Sequence, residues 1–264
     1  MRPPDAMTVT RVMCRTAKKD KRQMKYVGRI AIFAALAGIA AVAVVLLGTR
    51  LELWQPIVGF GLYRTYFNPM GAIIAGLGLV AVLVHLKRKE PRGVLAGGIA
   101  ALIGVACLVP LIIGTLNPPL RAPPIHDIST DTLNPPLFEV IDETRAGAKN
   151  TLVYGGPELA AAQAAGYPDI MPLDTDLSPD DAFARALDVA KEMQWDVIAY
   201  DTARRRFEAV ARTSVFYFAD DVVLVVSPAG QGSRIDMRSV SRIGRSDQGV
   251  NAARIREFQQ MFTN

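Results

Sequence analysis

Three uninterrupted apolar runs dictate most of what this chain is able to fold into. Ile30–Leu47 is flanked by Arg29 and Arg50, Met70–Leu86 has only His85 at its edge, and Gly93–Gly114 carries no charge. At about 1.5 Å per helical residue, each is long enough to cross a hydrocarbon core about 30 Å thick. A cleaved signal peptide would account for the first run only if mature soluble sequence followed it. Two further runs follow instead. A buried core helix would account for one run, but not for three in succession. The expectation is three transmembrane helices, at about 30–47, 70–86 and 93–114.

Lysine and arginine bias in the short flanks orients them. Lys18, Lys19, Lys21, Arg22 and Lys25 precede the first run, and Lys87, Arg88, Lys89 and Arg92 separate the second from the third. The loop between the first and second has only Arg50 and Arg64, offset by Glu52. The amino terminus and second loop are therefore expected in the cytoplasm. Everything after Gly114 is expected outside it, which in a bacterium with two membranes is the periplasm. Residues 1–114 carry a net charge of +11 and residues 115–264 a net charge of −6. The basic balance thus belongs to the membrane flanks, where anionic lipid attracts cations, and it argues against nucleic-acid binding. Cys14 and Cys107 both precede the exported part. That part therefore has no disulfide, no thiolate metal site and no thiol nucleophile.

The expected organisation is a basic cytoplasmic tail (1–25), a membrane domain (26–114), a Pro-rich linker (115–126) and a periplasmic domain (127–264). Trp54, Phe60, Tyr63, Tyr66 and Phe67 make residues 51–68 read as an aromatic loop along the membrane–water interface. Small residues four apart, as in Gly71/Ala75 and Ala100/Gly104, suit close helix packing within the membrane. No ionisable residue sits mid-span, so transport is poorly supported. Membrane lipid is an expected partner, and oligomeric state is not legible. Pro118, Pro119, Pro123 and Pro124 read as an extended spacer reaching roughly 35 Å. The hexapeptide Thr-Leu-Asn-Pro-Pro-Leu, at 115–120 and 132–137, reads as two similar turns.

The outer part is expected to be an α+β domain: an antiparallel four-stranded meander covered by two or three helices. Gly156-Pro157-Glu158 opens a short helix that Gly166 and Pro168 close. Ser178-Pro179-Asp180-Asp181 combines a capping hydroxyl, a first-turn proline and carboxylates at the positive helix end. Strand-like runs follow at Trp195–Asp201, Arg206–Thr213, Val222–Val226 and Arg234–Val240. A last helix runs from about Gly249 to Phe262, capped by Ser246 or Asp247.

Within this region Asp236–Ile255 packs four arginines, two aspartates, three serines, an asparagine and two glycines. Alternation puts Ile235, Met237 and Ser239 on one face of the fourth strand and Arg234, Asp236, Arg238 and Arg242 on the other. Glu208 and Arg212 are positioned to share the second face. Two accounts fit. The arginines form forks for an anionic or carboxylate ligand, or they and the aspartates satisfy one another and pin the strand–helix junction. Gly244-Arg-Ser246-Asp-Gln-Gly249 lacks the spacing and downstream histidine of a serine nucleophile elbow. Asp174-Thr-Asp176 lacks the glycine and glutamate of a calcium loop. His126 with Asp127 and Asp131 suggests a general base, but a single histidine without thiolates is a poor zinc set. Neither a metal nor a cofactor is expected. Arg204-Arg205-Arg206 reads as a solvated turn, and Phe216-Tyr217-Phe218 as a packed hairpin corner.

His126–Asp131 followed by Asn134-Pro135-Pro136, Tyr167-Pro168-Asp169-Ile170, Asp220-Asp221-Val222-Val223 and, above all, Asp236–Ile255 resemble domain-of-unknown-function family 1499. Its members occur in bacteria and plastid-bearing eukaryotes, and the resemblance spans about residues 123–262. It implies an envelope protein, with no reaction or ligand to carry over. Arg204-Arg205-Arg206 departs from the small turn of the family pattern. The residues singled out as a ligand site or a structural cluster are Asp127, Asp131, Asp221, Arg238, Arg242, Asp247, Asn251 and Arg254. The expected role is a non-catalytic inner-membrane protein whose periplasmic domain binds an envelope protein or an anionic ligand. The alternative is a periplasmic hydrolase or transferase, with aspartate as acid or base and arginines stabilising developing negative charge.

Overall fold

The computed structural model describes residues 26–118 and 122–264; the expected basic tail and residues 119–121 of the expected linker lie outside them. The chain divides into two units at about Pro119/Leu120.

In the first unit, three helices are long and apolar enough to cross a membrane: α1 (Val27–Leu47), α2 (Pro56–Lys87) and α3 (Pro91–Leu116). Large side chains such as Phe33, Leu95 and Leu102 are exposed on them, as lipid-facing residues must be. Ala31, Ala35, Ile74, Ala81 and Ala100 form the small inner contact. A Cβ on Gly78 would lie 2.3 Å from Ala101 N, and one on Gly104 would lie 2.2 Å from Ala75 N. These glycines set the backbone approach of α2 and α3.

The aromatic loop expected at 51–68 is corrected, because α2 already begins at Pro56. Phe60, Tyr63 and Phe67 recur at helical spacing; Tyr63 meets Phe67 edge-on at 4.7 Å, and Phe67 is buried. Pro69 lies inside the helix. A proline removes only one backbone donor, which a membrane helix tolerates. The two hexapeptide copies also differ: Thr115 and Leu116 end α3, whereas Thr132 and Leu133 lie in irregular chain.

The second unit is α+β. Its elements are β1 (Asp127–Ser129), α4 (Gly156–Gly166), β2 (Leu173–Thr175), α5 (Pro179–Glu192), β3 (Asp196–Asp201), β4 (Arg206–Arg212), β5 (Ala219–Ala229), β6 (Gly232–Ser241) and α6 (Val250–Thr263). The expected meander is β3-β4-β5-β6. Two three-residue strands add to it, β1 pairing with the carboxy-terminal half of β6 and β2 with its amino-terminal half. All pairings are antiparallel. Such short strands carry no readable alternation, so only pairing with β6 defines them.

Ser178 caps α5 as expected, its Oγ accepting the Asp181 N–H. Helices α5 and α6 cover one sheet face. Phe207, Ala209, Val222, Leu224, Ile235 and Met237 meet Phe183, Ala186, Val189, Ile255 and Phe258 there. Trp195 stacks on Phe258 with centroids 5.6 Å apart. The end of the expected spacer joins this unit: Ile125 is in the core, its carbonyl accepts the Asp247 N–H, and the Pro123 carbonyl accepts Ser246 Oγ–H. Buried Gln163 of α4 donates to the Ser129 carbonyl and accepts its N–H, so a side-chain amide completes the edge of β1.

Candidate functional site

Strand register places the polar residues on two opposite faces of the sheet. Glu208, Val223, Arg238 and Ser129 lie across from one another, as do Val210, Asp221, Val240 and Asp127, and all share one face. Asp220, Ser239 and Ser241 point to the other, the face covered by α5 and α6.

The first face is covered by residues 130–155, which contain neither helix nor strand. Irregular chain against a sheet must find partners for its backbone groups, and buried charged side chains supply them. Glu208 is 1% exposed; its carboxylate accepts the N–H groups of Glu139 (2.6 Å), Val140 (3.1 Å) and Ile141 (2.7 Å), and Arg206 Nη2 (2.9 Å). Arg238 is fully buried. It forks onto Asp127 at 2.9 and 2.8 Å and donates to the carbonyls of Pro136 and Leu152. Its guanidinium also lies 5.6 Å from the Phe138 ring centre and 5.2 Å from that of Tyr154. Burial, with the Asp127 charge adding to it, pushes the Tyr154 hydroxyl up to about 12. Asp221, also fully buried, accepts Arg145 Nε at 2.6 Å and Arg242 Nε and Nη2 at 2.9 and 2.7 Å. The same two arginines donate to the Asn150 and Ala146 carbonyls.

On the helix-covered face Arg254 donates to Asp220 at 2.6 Å and to Ser239 Oγ at 3.0 Å. Asn251 is fully buried, accepting from Ser239 and Arg254 and donating to Ser241 Oγ and the His126 carbonyl. Asp247 ties this cluster to the helix start. Its two oxygens accept the N–H groups of Gly249 and Asn251, so of the two caps expected Asp247 is the one that reaches α6. Burial pushes its carboxyl above the ordinary aspartate value, against the lowering effect of those bonds; the Asp220 charge acts in the same direction as burial.

The eight residues singled out from the sequence therefore do not converge. Asp127, Asp221, Arg238 and Arg242 lie under the 130–155 segment, whereas Asn251 and Arg254 are buried residues of α6 itself and Asp247 lies just before it. Asp131 turns its own loop, accepting the N–H groups of Leu133 and Asn134 and pairing with Arg234. His126, Asp127 and Asp131 do not assemble a base: Asp127 is taken by Arg238, and His126 contributes its backbone carbonyl to Ser241 and Asn251. Among the described residues no group of three or more His, Cys, Asp or Glu is placed to hold a metal. Of the four arginines in Asp236–Ile255, Arg245 alone is exposed, and no described carboxylate pairs with it.

The basic turn is corrected in part. Arg204 pairs with Glu139 and Arg205 with Asp180 at the surface, but Arg206 begins β4, is buried, and bridges Glu139 and Glu208. Sequence reasoning missed Arg145, Glu139 and Asp220 as partners. Their only signal is a charge placed within or beside a strand pattern, and the partner lies too far along the chain to be inferred.

No curated protein matches the chain. Residues 127–262 match the family described as "Protein of unknown function (DUF1499)", and that match runs from the first strand of the sheet into its last helix. The chain belongs to this DUF1499 family.

Proposed function

We propose that this chain is an inner-membrane protein whose carboxy-terminal unit lies in the periplasm and serves as a non-catalytic binding module for an envelope protein. The carrying observation is how residues 130–155 divide their side chains. Charged groups beneath the segment are spent holding its backbone, while Leu133 (88% exposed), Leu137, Val140 and Val153 (74% exposed) face outward. An irregular segment pinned at Glu208, Arg238, Asp221 and Arg242 presents these apolar groups at low entropic cost, which favours binding over solvation. The hydrolase or transferase alternative, with aspartate as acid or base, needs an aspartate free to exchange a proton with substrate. Asp127 and Asp221 are each buried against arginine and Asp131 is bonded to its loop, which supports the non-catalytic reading.

Site-specific photo-crosslinkers at Leu133 and Val153 in living cells test this. Discrete adducts with an envelope protein are expected at both positions and not at exposed Lys191 on α5. Identical patterns at all three positions, or no adduct at Leu133 and Val153, would remove the binding role.

A further inference from the structure

At one end of the membrane unit, the start of α1 and the α2–α3 connection enclose a groove of about 860 Å³. Arg29, Lys89 and Arg92 line it, all exposed, and no described carboxylate lies within ion-pair distance of any of them. The one acid lining it, Glu90, is already engaged: its carboxylate meets His85 Nδ1 at 2.7 Å and Arg88 Nε at 3.1 Å. His85 forms part of the wall and is 3% exposed, and its Nε2 has no hydrogen-bond partner among the described residues. Two glycines make room for the ring. A Cβ on Gly28 would lie 3.0 Å from Nε2, and one on Gly93 only 2.2 Å from Cγ.

We propose that this groove binds an anionic phospholipid through a headgroup carrying a phosphodiester and a free hydroxyl. The inference rests on the three helices spanning a membrane and not on which way they face. The helix ends that form the groove sit where phosphates sit, at the edge of the apolar spans. Three cations around one cavity, none with a carboxylate partner among the described residues, supply the charge for a phosphate; Arg29, whose guanidinium lies 5.8 Å from the Tyr26 ring centre, and Arg92 can fork onto its oxygens. Part of the same proposal is a neutral His85 that keeps its proton on Nδ1, against the Glu90 carboxylate. Nε2 is then an acceptor, matched by a headgroup hydroxyl rather than by the anion. A glycerol headgroup satisfies both demands; a choline headgroup has the phosphodiester but cancels its charge with a quaternary ammonium and has no donor for Nε2.

The full chain, delipidated in detergent, is examined by native mass spectrometry with added phosphatidylglycerol, phosphatidylmethanol, phosphatidylcholine or inorganic phosphate. Wild type is expected to retain phosphatidylglycerol over phosphatidylcholine, and the triple variant Arg29→Gln/Lys89→Asn/Arg92→Gln to bind it about tenfold or more weaker. Lys87→Gln, on the same membrane face but outside the groove, should leave binding unchanged. His85→Leu should erase preference for phosphatidylglycerol over phosphatidylmethanol, an anionic phosphodiester with no headgroup donor, while keeping preference over phosphatidylcholine. Arg29→Gln alone, on the exposed start of α1, gives a milder version should the triple variant misassemble. Equal retention by wild type and the charge variants, or equal loss in Lys87→Gln, overturns the site. Displacement of the lipid by millimolar inorganic phosphate would reassign the groove to a free anion. Equal binding of phosphatidylmethanol and phosphatidylglycerol by wild type would overturn the hydroxyl assignment.

Discussion

Arg238 shows how a single buried charge organises its surroundings. It neutralises Asp127, satisfies the Pro136 and Leu152 carbonyls and lies against two aromatic rings. Removing one member of a buried pair leaves the other charged and unsolvated, which costs about 3–5 kcal/mol. Arg238→Met should destabilise the carboxy-terminal unit by that amount, and Asp127→Asn added to it should restore a large part. Urea unfolding followed by Trp195 fluorescence in a Trp54→Phe background measures both; a double variant no more stable than the single one would contradict the account. Arg242→Ala should cost less, because Arg145 still meets Asp221. Asp247 responds to pH in the opposite sense from a paired carboxylate. Its folded value is raised, so the folded state holds the proton more tightly than the unfolded chain does. The resulting stability is present at low pH and lost as pH rises through the folded value. Wild type should therefore gain on Asp247→Asn as pH falls from neutrality toward the ordinary aspartate range. A difference independent of pH in the same fluorescence assay would refute this.

Among the elements, those defined by local pattern and those defined by partners behave differently. Helices α1, α3, α4, α5 and α6 and strands β3, β4, β5 and β6 follow apolar runs, caps and alternation, and all nine are legible in the chain. Strands β1 and β2 are not, because three residues show no period and only β6 makes them strands. The start of α2 was masked by Arg64 and Pro69, whose local signals the Phe60/Tyr63/Phe67 stripe overrode. The α2–α3 seam tests whether glycine spacing sets helix approach. Gly78→Val would thrust its side chain onto the Ala101 backbone, since a small residue there is what permits contact. Cysteine pairs across the seam should lose their crosslinking in that variant, while Gly76→Val, which meets nothing, should leave it intact.

At the level of the whole molecule, charge asymmetry carries a topological prediction. With Lys87, Arg88, Lys89 and Arg92 held in the cytoplasm, a carboxy-terminal alkaline-phosphatase fusion should be active and the same reporter placed after Lys89 inactive; the reverse pattern would invert the protein. By itself the sequence determined the three apolar spans, the cysteine-free acidic carboxy-terminal part, and the order of its main helices and strands. Each of those depends on residues a few positions apart. It also marked Asp236–Ile255 as unusual, but not what the run does. Only tertiary structure decided that Arg238 meets Asp127 across 111 positions, that Arg145 meets Asp221 across 76, and that the sheet divides the singled-out residues between two faces. Ion pairs are chosen by strand register and by the burial of a covering segment. Neither is encoded in the local spacing of the residues that form them.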